Sequence, residues 1–206
     1  MMNRRGLLAG LGLGLGLSLA CAIPRLARAE ISEPKPLPAG LDPNAAPGLS
    51  WAGSGPAAIE IFDYNCPYCR AVFEALDARV AKKTLRLGLI DSPQLSIGSI
   101  QAAKLRQAAL ILYGPAKAYA FHRRIFAQRG AIDGETALAA ARAMKFDVVK
   151  LTETADSDPV RDILVAQARF LNQTGAQATP SFILGGKLVS GWPGPANFDA
   201  LLKQHG

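Results

Sequence analysis

The sequence of 206 residues is poor in cysteine, histidine and methionine, with only three, two and three of them. Three cysteines cannot make a disulfide framework of the kind that staples small secreted domains. His122 and His205 lie at no metal-site spacing from the cysteines or from each other, so no zinc or copper centre is expected. Long apolar stretches are missing too. The one sustained run, Gly6 to Ala20, falls short of the roughly 20 residues that span a bilayer. Acidic residues are lacking from residues 1–29, which carry Arg4, Arg5, Arg25 and Arg28. The formal charge of +7 is therefore concentrated at one end, and the remainder holds 19 basic against 16 acidic side chains. No Lys/Arg block with interleaved aromatics follows, so no nucleic-acid surface is expected. There is no internal repeat.

What the first 29 residues do contain is the plan of an export signal. A charged start at Arg4-Arg5 precedes the Gly/Leu run, and Ala27-Arg28-Ala29 is a small-x-small cleavage site before Glu30. The arginine pair followed by Gly6-Leu7-Leu8 is similar to a twin-arginine signal, the alternative being an ordinary secretory leader. Ser18 three residues before Cys21 argues against a lipoprotein signal. Cleavage after Ala29 would leave a periplasmic protein with two cysteines, Cys66 and Cys69. A loop closed across two residues gains little from chain entropy, so this pair points to chemistry rather than stapling.

Residues 30–56 are rich in Pro, Gly, Ala and Ser and are expected to form an extended arm, with at most a short edge strand near Leu49–Trp51. Ala57 to Phe62 reads as a strand buried on both faces. Val72, Phe73, Leu76 and Val80 then recur at helical spacing, and Leu85, Leu87 and Leu89 alternate as a second strand. About 99–173 is Ala- and Leu-rich, broken at Gly114-Pro115, Gly130, Gly134 and Asp158-Pro159, and predicts four or five helices. Gly185-Gly186 between two short β-type runs is a hairpin signal. Phe198, Leu201 and Leu202 suit a closing helix. The fold class is α/β, with an all-helical insertion between two halves of a small sheet.

A thiol–disulfide exchanger needs an attacking thiolate and a second thiol near enough to resolve the mixed disulfide. Cys66-Pro67-Tyr68-Cys69 at a strand-to-helix junction supplies both. Cys66 falls at the helix N-terminus, where unpaired N–H groups and the helix dipole favour an anion. Pro67 fits the first turn, having no N–H to lose. Cys66 is thus the candidate nucleophile and Cys69, one turn on and more buried, the candidate resolving thiol. A Cys–His hydrolase would need His122, which sits in a stretch that reads as helix packing.

Phe62-Asp63-Tyr64-Asn65-Cys66-Pro67-Tyr68-Cys69-Arg70, with Ala178-Thr179-Pro180-Ser181-Phe182-Ile183 about 110 residues later, resembles the DsbA-like branch of the thioredoxin superfamily. The likeness runs from about Ala57 to Lys203 and implies a thioredoxin-like domain over 57–206. It implies a cis-proline at Pro180 facing the cysteines, with the Thr179 backbone free to pair with an incoming peptide. Glu60, six residues before Cys66, matches a buried acid that relays protons to or from Cys69, with Asp63 as a weaker alternative. Pro67 and Tyr68 occupy the dipeptide that tunes redox potential. No cofactor beyond a Cys66–Cys69 disulfide is implied. The implied partners are reduced or misoxidised exported proteins and a membrane redox protein, either a DsbB-like quinone-linked oxidase or a DsbD-like reductant. The leading expectation is an oxidase that donates the Cys66–Cys69 disulfide to reduced exported proteins; the alternative is a reductase or isomerase kept reduced by a membrane donor, because threonine before Pro180 is common among isomerase and reductase relatives. A metal-binding or chaperone module on the same scaffold is the non-enzymatic alternative. The arm shows neither a clear first strand nor a long amphipathic stretch for dimerisation, which favours a monomer.

Overall fold

A computed structural model of the chain describes residues 33–206, so the expected leader and Cys21 lie outside the described residues. Six strands form one mixed sheet: β1 (Lys35–Pro36), β2 (Ser50–Ser54), β3 (Ala57–Phe62), β4 (Leu85–Asp91), β5 (Ser181–Leu184) and β6 (Lys187–Ser190). Their order across the sheet is β1-β6-β5-β3-β4-β2. Only β3 and β4 run parallel, joined through helix α1 (Pro67–Ala81), so β3 stands at the centre with the redox motif leaving its C-terminal end. This is a thioredoxin-like sheet. Two glycines at positive φ, Gly185 (52°) and Gly186 (76°), close the expected β5–β6 hairpin, since both central residues of such a turn need that region.

Alternation along β3 divides the core. Ala58, Glu60 and Phe62 face α1, whose buried stripe is Cys69, Val72, Leu76 and Val80. Ile59 and Ile61 face the opposite layer with Ile90, Ile183, Phe170 and Leu171. The closing helix α6 (Pro195–His205) adds Phe198 and Leu202 to the α1 side.

Between β4 and β5 lie α2 (Ile97–Phe126), α3 (Gly134–Ala143), α4 (Val148–Ala155) and α5 (Asp158–Thr174). α2 breaks at Gly114 (φ 77°, ψ 174°) ahead of Pro115, where the sequence predicted a boundary. The last part of α5 departs from the reading of a purely inserted block. Its Phe170 and Leu171 cover the second face of the sheet, so that stretch belongs to the sheet's own layer.

The edge strand expected near Leu49–Trp51 is present as β2, five residues paired antiparallel with β4 from Ser50↔Leu89 to Ser54↔Leu85, and β1, which was not expected, pairs with β6 at the other edge. A domain boundary at residue 57 would therefore strip both edges from the sheet. Ser50-Trp51-Ala52-Gly53-Ser54 has little intrinsic strand preference, and its pairing depends on what it meets. At Gly53 (φ 75°) a Cβ would come within 2.4 Å of the Leu85 carbonyl, which explains glycine there.

Candidate functional site

Phe62 ends β3, and the four residues that follow turn the chain into α1. Cys66 is the N-cap of that helix (φ −73°, ψ 117°), its Sγ accepting from the Cys69 N–H at 3.4 Å. Its thiol donates to the Thr179 carbonyl at 3.1 Å. The Thr179–Pro180 peptide bond is cis, as the resemblance implied. The Thr179 carbonyl is thus turned to Cys66. Ser181 Oγ donates to the Ala178 carbonyl at 2.6 Å, and the Gly191 N–H donates to the Pro180 carbonyl at 2.9 Å, pinning this loop from both sides.

Both cysteines are free thiols. Cys69 is wholly buried, and Cys66 is 3% exposed. What Cys66 does reach is a cleft of about 300 Å³ lined by Pro67, Tyr68, Gln94, Leu95, Gln177 and Thr179 among others. Tyr68 (71% exposed) and Leu95 (57%) form an apolar rim around it. Burial, then the nearby Glu60 carboxylate, push the Cys69 thiol far above its ordinary range. The inner sulfur therefore keeps its proton, while the outer one opens on the cleft.

Glu60 is 1% exposed, on the β3 face beneath α1, between Leu89 of β4 and Phe182 of β5. Burial alone raises its pKa from 4.5 to about 8. A neutral acid poised near neutrality, coupled to Cys69, suits proton exchange with that sulfur. The same shift links it to stability. An unfolded chain releases this proton near 4.5 and the folded one near 8. Glu60's contribution is thus complete below 4.5 and is lost as pH rises through 8. Glu60→Gln should match the parent at pH 4 and exceed it by about 2–4 kcal/mol at pH 8.5, the shift being worth at most ~1.4 kcal/mol per unit. Urea denaturation of both proteins, fully reduced, at those two pH values measures it; equal stability at pH 8.5 contradicts a buried, protonated Glu60.

Asp63 does not share that role. Its carboxylate accepts from the Asn65 N–H (2.7 Å), the Gln94 N–H (2.8 Å), the Leu95 N–H (3.0 Å) and Ser99 Oγ (2.6 Å). Four donors hold it as a structural anchor of the turn. Asn65 continues the work: its Nδ2 donates to the Ile132 carbonyl at 2.8 Å and its Oδ1 accepts the Ile132 N–H at 2.7 Å. Arg70 donates to the carbonyls of Gln128 and, at 3.0 Å, Gly130. These contacts clamp the redox turn onto the start of α2 and the loop before α3. Sequence reasoning missed Asn65, Ser99 and Arg70. Only the spacing of Ser96, the N-cap of α2, and Ser99 carried a local signal.

Phe121, Phe126 and Phe182 are all buried in the core, with Trp192 against Phe182 and Phe198. Among the described residues, no group of three or more His, Cys, Asp or Glu side chains is arranged to hold a metal ion.

No curated protein matches the chain. Solved structures do. A thioredoxin-like oxidoreductase from Silicibacter pomeroyi DSS-3 superposes with a TM-score of 0.69 at 27% identity, over 77% of this chain and 92% of that one. The catalytic domain of Proteus mirabilis ScsC gives 0.69 at 19% identity, over 78% and 90%. The thiol-disulfide exchange protein alpha-DsbA2 from Wolbachia pipientis gives 0.68 at 20%, over 75% and 86%. The two latter likenesses speak for the fold alone. A family model described as thioredoxin matches residues 54–204, from the end of β2 to α6 and across the cysteine pair and Pro180. With that match and the sheet, helical block and cleft described above, the chain belongs to the thioredoxin family, as a thiol–disulfide oxidoreductase of DsbA-like architecture.

Proposed function

We propose that the protein is an exported, periplasmic disulfide oxidase that donates a Cys66–Cys69 disulfide to reduced exported proteins. A substrate thiolate entering the cleft attacks Cys66 Sγ, forming the mixed disulfide and expelling Cys69 as a thiolate. Glu60 in its neutral form supplies the proton that Cys69 takes up. A second substrate thiolate attacks the substrate's own sulfur, releasing Cys66 and leaving the substrate oxidised by two electrons. A DsbB-like quinone-linked membrane protein accepts those electrons and restores the disulfide. Pro67 and Tyr68 tune the pair, and Thr179 with Pro180 borders the path of the bound peptide.

The observation that supports the direction is the place of Cys66 Sγ at the N-cap of α1, where it accepts the Cys69 N–H at 3.4 Å and the helix dipole favours an anion. Whatever favours the reduced pair makes its disulfide the more oxidising. Threonine at 179 favours the second reading, a reductase or isomerase kept reduced by a DsbD-like donor.

Equilibration of residues 30–206 with glutathione buffers distinguishes them. An oxidase gives a midpoint above about −200 mV and a pair that is oxidised in cells. A midpoint near the thioredoxin value of about −270 mV, with a dithiol in cells, replaces it with the reductant reading.

A further inference from the structure

Large apolar side chains that stand out from the described residues are concentrated near one another. Seven are exposed, and five of them, Tyr68, Leu95, Ile97, Ile100 and Val165, follow one path away from the redox turn. Tyr68 and Leu95 border the Cys66 cleft. Ile100 of α2 and Val165 of α5, each 44% exposed, line a second hollow of about 490 Å³. Ile97 lies one turn before Ile100 on the same face of α2. Clustered bare apolar surface marks a binding site in a way that scattered single residues do not.

The second hollow lies between the start of α2 and α5. Its lining is mostly aliphatic, with Pro93, Leu164, Ala168 and Leu171 joining Ile100 and Val165. The charged side chains that line it are already engaged. Lys104 pairs with Asp156, Arg161 with Asp158 at 2.6 Å and Asp162 at 3.0 Å, and Asp91 with the buried Arg106. An anionic headgroup or a nucleotide would find no free counter-ion among these residues, and burying its charge unpaired is costly. An uncharged apolar ligand meets no such penalty. The volume falls within the roughly 300–1,000 Å³ of pockets that enclose small ligands.

Gln94 lines both the hollow and the Cys66 cleft, so it is the wall they share. That wall is fixed to the redox turn. The Ser92 N–H donates to the Phe62 carbonyl at 2.8 Å, and the Gln94 and Leu95 N–H groups donate to the Asp63 carboxylate at 2.8 and 3.0 Å. Gln94 Nε2 donates to Ser92 Oγ at 2.8 Å. Phe62 and Asp63 lead directly into Cys66, so hydrogen bonds set the spacing between sulfur and hollow. A site organised in this way costs an incoming chain little further ordering of the protein.

We infer that this hollow is a second substrate subsite, taking an uncharged apolar segment of the same unfolded polypeptide whose cysteine enters the Cys66 cleft. The chemistry limits the occupant. In a thiol–disulfide oxidoreductase the cleft beside Cys66 is where a partner's cysteine enters, and the chain on either side of that cysteine must leave over its walls. An extended chain advances about 3.3 Å per residue, so a segment three to six residues away lies about 10–20 Å from the reacting sulfur. Reduced proteins that have not yet folded expose the aliphatic and aromatic side chains that native ones bury. The hollow therefore favours unfolded substrates and releases a product that has folded around its new disulfide. The inference rests on the reading that Cys66 receives substrate thiols, and its test separates the two.

Two dithiol peptides serve as probes, identical except that one carries Leu-Val-Leu three to six residues from a cysteine, on each side, where the other carries Ser-Gly-Ser. The oxidised protein is expected to oxidise the apolar peptide about tenfold faster, the scale of burying one aliphatic side chain. In Val165→Asp and in Ile100→Asp, both at exposed positions, the ratio of the two rates falls to about one. The apolar peptide with serine in place of cysteine, titrated into the reduced protein, gives a reading free of sulfur chemistry. The backbone amide resonances of Ile100, Lys104, Val165 and Ala168 should shift. Equal rates on the parent, or a preference that survives both variants, overturns the inference and leaves Cys66 in its role. Shifts absent from those four residues overturn it as well. A protein that shows the shifts but oxidises neither peptide keeps the subsite and removes the exchange role from Cys66. A parent dimer that Val165→Asp dissolves gives the hollow to a second copy of the chain and overturns the inference.

Discussion

Cys69→Ser should accumulate mixed disulfides on Cys66 when reduced substrate proteins meet the protein under mild oxidation, and Cys66→Ser should accumulate none. The asymmetry follows from where the helix puts the two sulfurs. Cys66 caps α1 and lines the cleft, whereas Cys69 sits one turn deeper with no exposed surface. Removing Cys69 leaves the entry step possible and deletes the thiol that would release the captive. Removing Cys66 deletes entry itself, and exchange should fall at least about a thousandfold, as nucleophile removal does elsewhere. Non-reducing gels and mass spectrometry of the trapped species decide it. Equal trapping by the two variants reverses the roles, and no trapping by Cys69→Ser removes the mixed-disulfide route.

The site was legible in sequence where it depends on neighbours along the chain. A buried-type strand running directly into Cys-Pro-Tyr-Cys fixes a helix start at Cys66. The glycine pair fixes the hairpin that returns Gly191 to Pro180, and both features depend on local backbone chemistry. Glu60 was reached only through its place in a family pattern; a lone acid in an apolar strand has no spacing of its own. What stayed hidden is non-local. Tyr64 and His122 are 58 positions apart, Asn65 and Ile132 are 67 apart, and neither pair leaves a periodic trace. β2 was legible only as a short edge strand near Leu49–Trp51, since Ser50 to Ser54 become a full strand through pairing with Leu85–Leu89 rather than through propensity. The arm was therefore taken for an appendage when it completes the sheet.

Arg106→Met should cost about 3–5 kcal/mol of stability while leaving both cysteines untouched. Arg106 is fully buried and Asp91 1% exposed, facing each other from α2 and the end of β4. Arg106 Nε donates to both Asp91 oxygens, at 2.8 and 3.0 Å, and its Nη2 reaches the second of them. Nη1 donates to Ser50 Oγ at 2.9 Å, and Gln107 Nε2 adds a further donor to Asp91 at 2.7 Å. One guanidinium thereby ties the helical block, the sheet and the β2 edge together. Methionine fills the volume but strands the Asp91 carboxylate in an interior without its cation, and that uncompensated charge sets the size of the loss. Replacing both, as Arg106→Met with Asp91→Leu, should recover most of it, because two apolar groups leave only Ser50 and Gln107 to find new partners. Guanidinium denaturation of the three variants gives the energies, and amide exchange in β2 reports whether Ser50 still holds the edge. A double variant no more stable than Arg106→Met alone would mean that packing, rather than the buried charge, is what Arg106 supplies.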